Sequence, residues 1–274
     1  MSYSTLMAHL ELDRPCETPL RIANELARTV ESKRIVGIAA AAVEPPLYFT
    51  IGPAAEDLLR KDRERLNSQL ATREAEFRRL LPHVDVEWRG AVVARPVDFV
   101  ARNARAADLI LTSRCAGRSD SRGGIDSGEL VLLAGRPVLV VPPEVEWLRF
   151  NTMLIAWKDT REARRAVNDA LPLLHQARQV LIVESVEPGP DEMDAKMRVQ
   201  DVAHWLVRRG ISASAIATRT LTDAAEHISM LAREEGANII VAGAYGHTRF
   251  NEWVFGGVTR SLLMQKDCSV LFSH

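Results

Sequence analysis

The residues whose types and spacing most directly suggest chemistry lie between Ile239 and Arg260, in the stretch IIVAGAYGHTRFNEWVFGGVTR. Two residues separate Gly243 from Gly246, nine separate Gly246 from Gly256, and Gly257, Val258 and Thr259 follow at once. The β-branched run Ile239-Ile240-Val241 ahead of them reads as a buried parallel strand. Strand, glycine-rich loop and helix start together let backbone N–H groups close around phosphate oxygens. Glycine permits positive φ and close approach, and a helix N-terminus adds a favourable dipole. The pattern is neither a Walker A loop, since no GK[ST] follows, nor GxGxxG. Strand-to-helix turns also use glycine for local reasons, so the loop has to be weighed with the elements that flank it.

Those elements come in two copies of one order. In the first half, strands are expected at Leu6–Leu12, from Arg34 through the apolar run IVGIAAAAV, at Val84–Val92, at 108–113 and at Pro137–Val141. Helices are expected between them at Glu17–Ser32, Ala54–Leu81, Pro96–Ala106 and Glu129–Ala134. The second half repeats this from Asn151. Its strands are expected at 153–157, 179–186, Ile211–Ala217, 238–243 and Ser269–Phe272, and its helices at Arg161–His175, Asp194–Arg209, Asp223–Glu235 and Asn251–Gln265. Direct matches support a duplication: Ala107-Asp108-Leu109-Ile110-Leu111 answers Ala237-Asn238-Ile239-Ile240-Val241, and Pro137-Val138-Leu139-Val140 answers Ser269-Val270-Leu271-Phe272. A period this long indicates duplicated domains rather than a solenoid. Alternating strands and helices predict doubly wound α/β domains with right-handed crossovers, joined by the stiff segment Pro142-Pro143-Glu144-Val145-Glu146.

In such a sheet ligands bind beyond the carboxyl ends of the strands, where the strand order reverses. The reversal is expected between the first and fourth strands of each half. That sets Lys158-Asp159-Thr160 on one lip of a crevice and Gly243-Ala244-Tyr245-Gly246 on the other.

The Gly-x2-Gly-x9-Gly spacing together with the duplicated order resembles the universal stress protein family. The resemblance covers essentially the whole chain, with the sharp motif confined to the second half. It implies two tandem, adenine nucleotide α-hydrolase-like domains, residues 1–146 and 147–274, each a five-stranded, mostly parallel sheet flanked by helices. It further implies a non-enzymatic regulator of the stress response that binds ATP, ADP or AMP, with Mg as an optional companion.

By resemblance, the backbone amides of Gly246, His247, Gly256, Gly257 and Val258 reach phosphates, and Thr259 lies where the family often has a second hydroxyl. Val183-Glu184-Ser185 offers backbone groups to an adenine edge. The family's first lip carries an Asp two residues before a Ser or Thr. Here the lip reads Trp157-Lys158-Asp159-Thr160, so Lys158 holds the acid's position, as a phosphate contact or a solvated loop lysine. Gly257 replaces the family's Ser or Thr, which removes one side-chain hydrogen bond worth about 1 kcal/mol. His247, Arg249 and Arg260 add positive charge near a terminal phosphate, although a loop histidine is more often simply exposed. In the first half Ser113 and Ala116 replace the glycines while Glu11 keeps an acid at the lip. One nucleotide site, in the second half, is the expectation.

Bulk properties narrow the classes further. An apolar fraction of 47% and a charged fraction of 26% are those of an ordinary globular protein. A formal charge of −1 supplies no basic field for nucleic acid. No membrane span or signal peptide is legible, so a cytoplasmic location is expected. Cys16, Cys115 and Cys268 form no CxxC pair, which points to reduced thiols. No HExxH, GxSxG or metal-spaced cluster is present, and His204 and His227 read as surface or boundary residues on helices. The competing classes are a nucleotide-free scaffold acting through protein contacts and a slow ATPase. Edge-to-edge pairing of the last strands of the two halves would make the chain an internal pseudo-dimer, leaving further homodimerisation open.

Overall fold

The computed structural model describes residues 2–43, 53–114, 123–186, 191–220, 223–244 and 257–274. Its first half runs β1 (Thr5–His9), α1 (Glu17–Thr29), β2 (Arg34–Ala41), α2 (Pro53–Leu80), β3 (Asp85–Val92), α3 (Pro96–Asn103), a 3-10 turn (Ala104–Ala106), β4 (Leu109–Ser113), α4 (Ser127–Ala134) and β5 (Val138–Val141). The second half runs β6 (Thr152–Ala156), α5 (Arg161–Leu174), β7 (Gln179–Val186), α6 (Glu192–Val207), β8 (Ala213–Arg219), α7 (Ala224–Glu234), β9 (Ile239–Gly243), α8 (Gly257–Leu263) and β10 (Ser269–Ser273).

The helices form where apolar residues recur at helical spacing. In α1 they are Leu20, Ala23, Leu26 and Ala27, all buried. Starts are capped where the chain supplies an acceptor. The Asp126 side chain accepts from the Glu129 N–H, Thr160 from Ala163, and Asp223 from Ala225 and Glu226. The central strands are continuous apolar runs because helices cover both of their faces. Strand β1 ends at His9 rather than continuing to Leu12. Leu10 still donates its N–H to the Ile38 carbonyl at 2.9 Å, and beyond it the chain turns away toward α1.

All ten strands make one sheet of order β3-β2-β1-β4-β5-β10-β9-β6-β7-β8. Within each half every pair is parallel, and the order reverses at β1·β4 and at β6·β9, as expected. The halves meet through the one antiparallel pair among the described strands, β5 against β10, with Val138 opposite Phe272, Leu139 opposite Leu271 and Val140 opposite Val270. The expected internal edge pairing is therefore present, and it covers two edges that would otherwise lie open. Burial also crosses the boundary. Leu111 and Leu139 share one core with Ile155 and Leu271, and on the other sheet face Ile110 and Val140 share a second with Ile240 and Phe272. The Tyr3 hydroxyl of the first half donates to the Asp169 carbonyl of α5 at 2.5 Å. Among the described residues no helix is long and apolar enough to cross a membrane.

Candidate functional site

At the carboxyl end of the second half, β6, β7 and β9 deliver the expected lips. Trp157 follows β6 and donates its N–H to the Val183 carbonyl at 2.8 Å, extending the ladder by one bond. Its indole is buried in the core beneath α5, and Nε1 has no hydrogen-bond partner among the described residues. Trp157 is thus a packing residue. Lys158 is exposed, and its carbonyl accepts from the Thr160 N–H at 2.7 Å in the turn that starts α5. Asp159 is exposed and ion-paired with Arg164 at 2.6 Å. The Thr160 hydroxyl is engaged as the cap, 3.3 Å from the Ala163 N–H.

Gly243 ends β9 opposite Ser273. A Cβ there would stand 2.5 Å from the Ala163 nitrogen and 2.6 Å from the Glu162 carbonyl carbon. The first turn of α5 therefore packs onto Gly243 directly, and this glycine answers a close backbone approach. Glu162 in that turn is buried. Burial raises its pKa, but Arg161, its own backbone N–H and Thr160 together outweigh this and hold it below the ordinary value.

The engagement of the Val183 carbonyl shifts the main-chain edge available beyond the sheet. Residues of one strand face alternate sides, so the next N–H and C=O pointing toward β6 belong to Ser185. Ser185 lies past the last register pair of β6 with β7, Ala156 opposite Val183. Its side chain is held from α7, Ser185 Oγ lying 3.0 Å from His227 Nδ1. His227 is buried, not a surface residue, because α7 lays this face on β7. The available signal was a lone serine in an apolar strand and a histidine one turn past the Asp223 cap. His204 is exposed as expected. Neighbouring Glu184 is buried on the other sheet face, bridged by Arg198 at 2.8 Å, and Arg198 also reaches Asp191 at 3.0 Å.

On the far lip Gly257 is exposed at the start of α8, Val258 is half-buried and Thr259 is buried. The Asp223 carboxylate comes within 3.9 Å of the point a Gly257 Cβ would occupy. Gly246, His247 and Gly256, with Tyr245 and Arg249, lie outside the described residues. No group of three or more potential metal ligands occurs among the described residues.

The equivalent crevice of the first half is built differently. Ala8 pairs with Leu111 as Ile155 pairs with Val241, so His9 corresponds to Ala156, Leu10 to Trp157 and Ala40 to Ser185. His9 is buried and bridges two elements, with Nδ1 3.1 Å from Thr112 Oγ1 and Nε2 3.0 Å from the Gly123 carbonyl. That carbonyl only accepts, so Nε2 carries the proton. Burial pushes the His9 pKa down to about 4, against the raising effect of the Gly123 bond. Gly123, at φ +78°, lies over the strand ends, and a Cβ there would meet the Ala40 oxygen at 3.0 Å and Leu12 at 3.2 Å. The main-chain edge that corresponds to Ser185 is covered by the chain itself.

The universal stress protein family model matches residues 149–274. Residues 149–274 belong to the universal stress protein family. Over the whole chain, a universal stress protein from Archaeoglobus fulgidus DSM 4304 is similar at 14% identity and a TM-score of 0.67, covering 98% of each chain. A protein from Pseudomonas aeruginosa PAO1 described as functionally unknown is similar at 15% identity and a TM-score of 0.60, covering 99% of this chain and 92% of its own. At these identities the two likenesses show the fold alone, and they show it for both halves in tandem. No curated protein matches the chain.

Proposed function

We propose that the second half is an adenine-nucleotide-binding module of a non-enzymatic stress-response regulator. The observation that carries this reading is the reversal of strand order at β6·β9, beside which the main-chain edge of β7 runs on to Ser185 past its last pair with β6. In the first half Gly123 lies over the matching Ala40, with the position of its Cβ 3.0 Å from the Ala40 oxygen. The base would meet the Ser185 N–H and C=O, with Val183 as the wall behind it. The phosphates would meet the amides of Gly246, His247, Gly256, Gly257 and Val258, with Lys158 and Thr259 beside them. A strand-order reversal is where a doubly wound sheet receives a nucleotide. The Asp223 carboxylate lies 3.9 Å from the position a Gly257 Cβ would take and adds negative charge near the start of α8, so a divalent cation such as Mg would strengthen binding of the more highly charged nucleotides.

A second reading, a nucleotide-free scaffold, draws on the first lip. There Asp159 is paired with Arg164, Thr160 is engaged as a cap and Lys158 stands in place of an acid. Isothermal titration with ATP, ADP and AMP, with and without Mg, separates the two. The nucleotide reading predicts saturable one-site binding that Gly246→Val abolishes while the folded circular dichroism spectrum is retained. An absence of binding by the unmodified protein supports the scaffold. ATP turnover above background, lost on changing Lys158, would instead point to the slow ATPase.

A further inference from the structure

We propose that the first half carries a separate site for a small, flat, electrically neutral apolar molecule, in a cavity under the start of α1. The cavity measures about 260 Å³ and is walled by Leu10, Ile22, Leu111 and Val141. Its charged lining is Glu11 with Arg14, joined at 3.2 Å.

The duplication explains why the space exists. Seven residues, 10–16, connect β1 to α1, whereas four, 157–160, connect β6 to α5. The shorter connection brings the first turn of α5 onto Gly243, and the large Trp157 indole fills the core below. In the first half the longer connection sets α1 back, Ser113 stands where Gly243 does, and Leu10 replaces Trp157. Two fillers are missing at once and the gap remains.

The chemistry of the wall selects the ligand. The aliphatic face is backed by polar groups of Thr18, Thr112 and Ser113, and the volume exceeds the roughly 150 Å³ of an aliphatic cavity that takes up benzene, so the space admits a fused-ring molecule with its polar edge on those hydroxyls. The Glu11–Arg14 pair compensates its own charges and can still exchange single hydrogen bonds with a polar head. An ion entering beside the apolar wall would lose hydration without gaining an uncommitted counter-charge. This site opens on the α1 and β5 side of the strand ends, with His9 and Thr112 in its lining, and it is independent of nucleotide binding in the second half.

The test uses the full chain, with indole as the neutral probe and indole-3-acetate and tryptamine as charged analogues. Binding is read from the methyl resonances of Leu111 and Val141. Indole is expected to shift them saturably, the charged analogues to bind about tenfold more weakly or worse, and Leu10→Trp to abolish the shifts. Ile22→Phe narrows the same cavity from α1 and decides the matter if Leu10→Trp does not fold. No saturable shift with indole, undiminished binding in the folded variants, or tighter binding of a charged analogue would overturn the proposal.

Discussion

His9 and Gly243 illustrate how single residues make the two crevices unequal. His9 has an unfolded pKa near 6.5 and a folded value of about 4, lowered by burial. Between those values the unfolded chain binds a proton that the folded chain excludes. The histidine's contribution is therefore complete above pH 6.5 and falls as the pH drops toward 4, by roughly 3 kcal/mol across the window. Urea unfolding at pH 4, 5 and 6.5 should show this loss, and His9→Ala, which copies the alanine of the second half, should reduce the slope; equal slopes would contradict the assignment. Gly243→Ala places a methyl group against the Ala163 backbone at 2.5 Å, where no flexible side-chain end can yield. It should lower stability by roughly 1–3 kcal/mol, read as a lower urea midpoint with an unchanged m-value. A neutral substitution would mean that α5 does not rest on this glycine.

At the scale of elements, β5 and β10 are short strands that each half alone would leave at an edge, yet together they form the centre of the sheet. Their amides should exchange with solvent at the rate of global unfolding, while outer strands β3 and β8 exchange faster. Fast exchange in β5 and β10 would contradict the antiparallel pairing. The alternation of strands and helices was legible in the sequence because buried apolar runs such as Ile239-Ile240-Val241 and amphipathic stripes such as that of α1 carry local signals. The pairing of the halves was legible from the matched strands and the edges they would leave exposed. The main-chain edge at Ser185 was not, since the Val183 carbonyl is engaged by Trp157 through the path of a turn. Nor was the burial of His227, which depends on the face that α7 lays on β7. Gly243 was legible as a special position but for a different reason, because a sequence shows that a Cβ is missing without showing what approaches.

Across the whole molecule, one sheet and two cores are shared between the halves. Calorimetry should therefore record a single unfolding transition, with equal calorimetric and van't Hoff enthalpies, rather than one transition for each half. Tyr3→Phe, which removes the hydroxyl that reaches Asp169, should cost about 1 kcal/mol without splitting that transition. Two resolved transitions would mean that the shared strands do not couple the halves. Among the described residues the duplicated fold carries different groups at its two strand-order reversals, the second with Ser185 past the last β6 pair and the first with His9 bonded to Gly123 over Ala40. Backbone amide NMR during an ATP titration addresses that division most directly. A saturable shift of the Ser185 amide is expected, with the amides of Ala40 and Gly123 unmoved. Shifts at Ala40 and Gly123 with Ser185 silent would contradict it.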